Sequence, residues 1–160
     1  MGFTISIFTD GACSKNPGKG GYGVLMRIEG KGHEKLFSKG FRKTTNNRME
    51  LLAVIAALES LKTDGHTIHL YTDSKYVSDA INKNWLSNWQ KRAFKNVKNP
   101  DLWKRFIPLY ERHKPTFHWL KGHAGHRENE ICDQLAVKAY KEGVLEIDKG
   151  FEAQDGNSLF

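Results

Sequence analysis

The chain has 160 residues, 39% of them hydrophobic and 11% aromatic, which suits one globular domain with a sizeable core and argues against disorder. Its net charge of +7 fits an anionic partner, and no apolar run approaches the roughly 20 residues of a membrane helix, so no membrane association is expected. Two cysteines, Cys13 and Cys132, argue against a disulfide framework and for a reducing cytoplasm, and the early strand pattern leaves no room for a signal peptide.

In chain order, Ile5 to Phe8 reads as a short buried strand that runs into Thr9-Asp10-Gly11. Gly11 to Gly21 is glycine-rich and reads as turn; it lacks the Gly-Lys-Ser/Thr ending of a phosphate-binding loop. Tyr22–Ile28 and His33–Phe41 form a hairpin around Gly30-Lys31-Gly32. Thr45 caps a helix running to about Lys62, with Leu51, Val54, Ile55, Leu58 and Leu61 at helical spacing. Glu50 falls on the rim of that apolar stripe. It either answers the helix dipole or points across the sheet toward Asp10, and spacing leaves both open.

Ile68 to Thr72 is a second strand with the same ending, Tyr-Thr-Asp73-Ser. Paired in parallel and in register, the two strands set Asp10 and Asp73 about 4.8 Å apart. Carboxylates so close cannot both stay ionised without a proton or a cation, and hard divalent ions suit oxygen ligands. The bland alternative is that each aspartate caps the turn after its strand.

Ser74 opens a further helix to about Asn82. Between Lys83 and Arg105 lie seven basic residues and one acid, interleaved with Trp85, Trp89, Phe94 and Trp103. Such a mixture suits phosphate contact and stacking at Trp85, Lys91 and Arg92, while Trp103 reads as core. A helix from Asp101 to His113, a strand from Thr116 to Leu120 and a helix from about Glu128 complete the domain. Between the last two, Lys121 to Arg127 is a glycine-rich loop holding His123 and His126, whose spacing to Cys132 fits no structural zinc site. Asp133 lies on a partly buried line of the last helix and needs a partner. Residues 144–160 carry −3, so 1–143 carry +10. The tail reads as mobile or loosely docked, the body as the working domain.

Four segments carry a resemblance: Thr9-Asp10-Gly11, Asn46 to Leu51, Thr72-Asp73-Ser74 and Trp119 to Asp133. Together, in this order, they resemble bacterial type 1 ribonuclease H from residue 3 to about 142. The resemblance implies an α/β fold: a five-stranded mixed sheet, first three strands antiparallel, fourth and fifth parallel to the first, with helices on both faces. It implies cleavage of the RNA strand of RNA–DNA hybrids to 5′-phosphate and 3′-hydroxyl ends by a monomer, with two Mg²⁺ or possible Mn²⁺ ions about 3.5–4 Å apart. Asp10, Glu50, Asp73 and Asp133 match the metal-binding carboxylates, Asp10 bridging both ions, and His123 matches a loop histidine that assists proton transfer or product departure. Asn16, Asn46 and Asn47 match minor-groove contacts, Thr45 and Asn99 a DNA-phosphate pocket, and Trp85, Trp89, Lys91 and Arg92 the projection that grips the DNA strand.

Two departures stand out. Lys43 occupies the pocket's usual arginine position, which trades a bidentate contact for a point charge. Lys75 stands where glutamine is common, which puts a 2′-hydroxyl contact in doubt. A catalytically silent hybrid-binding module, or another nuclease of this fold, is the alternative; retention of all four acids and of the Gly-His-Ala-Gly-His loop argues against both.

Overall fold

The computed structural model describes residues 2–157. Six strands form one sheet in the order β5-β4-β1-β2-β3-β6. They are β1 (Thr4–Cys13), β2 (Gly18–Ile28), β3 (Glu34–Thr44), β4 (Thr67–Thr72), β5 (Thr116–Trp119) and β6 (Leu145–Glu146). β1 to β3 pair antiparallel, while β4 pairs parallel with β1 and with β5. The mixed sheet expected from the sequence is therefore present, with β6 as a sixth, two-residue strand parallel to β3.

The helices are α1 (Asn46–Glu59), α2 (Lys75–Asn82), α3 (Trp85–Lys91), α4 (Pro100–His113), α5 (Arg127–Glu142) and α6 (Lys149–Asn157). Period-2 alternation along β1 sends Ile5 and Ile7 to the face covered by α1 and α4, and Phe8 to the face covered by α5. The larger core lies on the first face, where Leu51, Val54, Ile55, Trp103 and Phe106 are fully buried. Helix α1 is packed from sheet and α4 alike, so ten of its fourteen residues are buried and the one-sided stripe read from the sequence understates its burial. Thr45 caps it by accepting from the Arg48 amide at 3.3 Å, and Ser74 caps α2 through Val77 at 3.2 Å.

The glycine-rich run behaves differently from expectation. β1 continues to Cys13 and β2 starts at Gly18, which leaves a short turn between two long strands. Gly11 and Gly21 of that run, and Gly23 just beyond it in β2, serve close packing against the helices. Gly23 pairs with Asp10 across the ladder, and a Cβ there would sit 2.3 Å from the Cys132 carbonyl of α5. Its bare backbone lets α5 settle onto the sheet one residue before Asp133.

The tail contacts the body through Asp148. Asp148 is 5% exposed and accepts from Arg48 through Nε and Nη2 at 2.8 Å each, and from Thr44 at 2.7 Å. A buried guanidinium requires carboxylate partners, and Asp148 supplies one of two. The tail's last residues, 158–160, lie outside the described residues. Among those described, no helix is long and apolar enough to cross a membrane, and both cysteines are free.

Candidate active site

The parallel register Phe8↔Tyr71, continued two residues, brings Asp10 beside Asp73 at the ends of β1 and β4. Glu50, the fifth residue of α1, enters from the covered face. Ligand oxygens of Asp10, Glu50 and Asp73 all lie within 4.8 Å of one another. Asp133, placed by the close seating of α5, lines the same cleft of about 450 Å³ together with His123, Asn46, Asn47 and Lys75. Glu50, whose direction spacing leaves open, is 5% exposed and turned toward Asp10, and it accepts from the Gly11 amide. That approach needs glycine at position 11, because a Cβ would lie 2.4 Å from the Glu50 nitrogen.

Crowding acids in a buried place has a cost that appears in their protonation. Burial, then the charge of Asp73, pushes Asp10 up from 3.8 to about 8. Asp133 adds to the rise, and a hydrogen bond from Glu50 opposes it. Burial, and then Asp10 and Asp73, raises Glu50 well above the carboxylate range. Without a cation the site therefore holds protons at neutral pH. Three hard oxygen donors that repel one another, held within a few ångströms by strand ends and a helix start, fit a divalent cation of the Mg²⁺ or Mn²⁺ type.

A second groove, of about 680 Å³, adjoins the cleft and shares Asn46 and Asn47 with it. It brings together Asn16, Thr45 and Asn99 from the expected substrate residues. Asn16 accepts from the Asn46 amide at 2.7 Å, which leaves its NH₂ available to a ligand. Lys43 does not line this groove; its charge acts on Glu152 of α6. Lys75 lies 4.9 Å above the Trp119 ring, whose Nε1 donates to the Asp73 carbonyl at 3.0 Å. Trp119 therefore braces the segment carrying Asp73, a role its place in the motif did not reveal.

The aromatic projection divides in two. Trp103 is fully buried and donates to the Tyr76 hydroxyl at 2.8 Å. Trp89 packs against it edge-on at 5.3 Å and is half-buried, while Trp85 is 38% exposed and Lys91 and Arg92 are exposed as well. The outer aromatic is thus held by a ladder of rings rooted in the core. His123 is exposed on its loop in the left-handed region, φ 57°. The adjacent Gly122 lies against Asp73, where a Cβ would come 2.7 Å from Oδ2.

The RNase H family model matches residues 4–141 of this arrangement. The chain belongs to the ribonuclease H family. Within it the chain is of the bacterial type 1 kind: it is 55% identical to Ribonuclease H of Desulforamulus reducens over 149 residues, covering 90% of this chain and 92% of that one. Ribonuclease H of Pectobacterium atrosepticum is 52% identical over 155 residues, covering 94% and 97%. Among solved structures, LC9-RNase H1, a type 1 RNase H with the type 2 active-site motif, superposes with TM-score 0.77 at 29% identity, covering 96% of this chain and 82% of that chain. LC11-RNase H1 in complex with RNA/DNA hybrid gives 0.64 at 27% identity, covering 86% and 97%. In this chain, Phe151, Gln154 and Lys98 also line the second groove, and no sequence motif pointed to the first two.

Proposed function

We propose that this chain is an endoribonuclease that hydrolyses the RNA strand of RNA–DNA hybrids, leaving 5′-phosphate and 3′-hydroxyl ends, with two Mg²⁺ ions for which Mn²⁺ can substitute. The observation that carries the reading is the close trio Asp10, Glu50 and Asp73, with Asp10 and Glu50 buried and their carboxyls pushed well up by burial and mutual charge, opening onto a polar cleft. Asp10, Glu50, Asp73 and Asp133 would hold the ions. Bound dications would offset the repulsion among these acids, polarise the scissile phosphate and order the attacking water.

The remaining work falls to this chain's own side chains. His123, exposed on a loop at the mouth of the cleft, carries a proton toward the departing oxygen or assists product release. Asn16, Asn46 and Asn47 offer amides to the wide minor groove of an A-like duplex, where the 2′-hydroxyl separates RNA from DNA. Thr45 and Asn99 seat a phosphate of the DNA strand, and Trp85, Trp89, Lys91 and Arg92 hold that strand further along. Lys43 and Lys75 contribute charge. A monomer in the cytoplasm is part of this reading, consistent with two free cysteines.

The test is incubation of an end-labelled RNA–DNA hybrid, an RNA duplex and a DNA duplex with the protein, each in Mg²⁺ or in chelator. Cleavage of the hybrid alone, on its RNA strand and only with the ion, is expected. Binding without cleavage in Mg²⁺ would instead identify a silent hybrid-binding module.

A further inference from the structure

The segment after Gly143 carries −3 and, as bare sequence, should repel a polyanion. Three of its four acids meet cations of the body. Glu146 pairs with Lys39 at 3.2 Å, and Asp148 with Arg48. Glu152 forks onto Arg42 at 2.9 and 2.7 Å. Each of these three acids faces a cation of the body. What α6 presents to the groove beside the cleft is Phe151 and Gln154, three residues apart on one helix face and both uncharged.

A single side chain joins this wall to the opposite one. Arg48 is 1% exposed. Besides Asp148, it donates to Asp101 at 2.9 and 2.8 Å and to Asn99 Oδ1 at 3.3 Å. Asn99 in turn donates to the Tyr76 hydroxyl at 3.1 Å, which leaves one amide N–H for the groove. The start of α4 and the tail helix are thus set at a fixed width across the groove.

We propose that α6 is a working wall of the nucleic-acid groove: Gln154 donates to the sugar–phosphate backbone of the DNA strand seated at Thr45 and Asn99, and Phe151 packs against its sugars. The Asp148–Arg48–Asn99 chain positions this wall. The inference rests on the hybrid-cleaving reading above.

The experiment is steady-state cleavage of a short RNA–DNA hybrid by the wild type, Gln154→Glu and Gln154→Lys at low and moderate salt, with melting temperatures measured alongside. Gln154→Glu should raise KM about fivefold, the size of one unit-charge repulsion at close range in water, and Gln154→Lys should lower it. Both should leave kcat and the melting temperature unchanged, because position 154 is exposed. Salt should shrink both effects. Opposite shifts in KM are something a merely structural helix would not produce. If wild type cleaves the hybrid and neither variant changes KM, α6 is no part of the groove. If wild type leaves the hybrid intact, the functional reading falls and takes this inference with it.

Discussion

Replacing Asp10 with asparagine removes a carboxyl that burial and Asp73 push from 3.8 up to about 8. The folded state without cations holds a proton there that the unfolded chain does not. Stability from this group is complete below about pH 4 and is lost as pH rises toward 8. At about 1.4 kcal/mol per tenfold change, the loss at pH 7 is on the order of 4 kcal/mol. Because Glu50 rises with Asp10 and the two share a hydrogen bond, part of that cost passes to Glu50 when Asp10 goes. Asp10→Asn, close in shape and never charged, should therefore stabilise the metal-free protein by about 2–4 kcal/mol at pH 7. It should gain little below pH 4. Urea unfolding followed by circular dichroism in chelator, at several pH values, measures this. Added Mg²⁺ should narrow the gap by stabilising the wild type through mass action. Hybrid cleavage by the variant should vanish while hybrid binding persists. A variant no more stable than wild type at pH 7 in chelator, or one that still cleaves, would refute the account of the acidic cluster.

Gly23→Ala should cost about 1–3 kcal/mol and slow cleavage, because its Cβ drives α5 and Asp133 off the sheet; unchanged stability in urea would contradict the close seating. Replacing Lys91 and Arg92 by alanine should flatten the log–log salt dependence of hybrid affinity by about one for each phosphate no longer neutralised, whereas an unchanged slope would make them a solvated face. His123→Ala should keep its melting temperature, since the side chain is exposed, and slow cleavage by about 10²–10⁴-fold. A large fall in melting temperature, or a rate as low as that of Asp10→Asn, would remove the proton-handling role.

Much of this molecule was written in local pattern. Two apolar runs ending in Thr-Asp placed β1 and β4, their equal endings set the register, and Thr45 and Ser74 announced the starts of α1 and α2. These signals are local because alternation, caps and strand endings act within a few residues of one another. Other features needed the tertiary structure. The direction of Glu50 was undecided by spacing, since α1 is buried on most sides and only the Gly11 amide and Asp10 draw it inward. Gly11 and Gly21 lay in a run that read as turn, yet with Gly23 of β2 they are places where α1 and α5 touch the sheet. Trp89 read as a grip and is half-absorbed by Trp103. The tail read as mobile or loosely docked, and nothing in its sequence names the contact by which Asp148 meets Arg48 across a hundred residues of chain. A buried charge finds its partner by proximity in space, and a sequence pattern with a period of two or 3.6 residues carries no record of which distant segment will supply it.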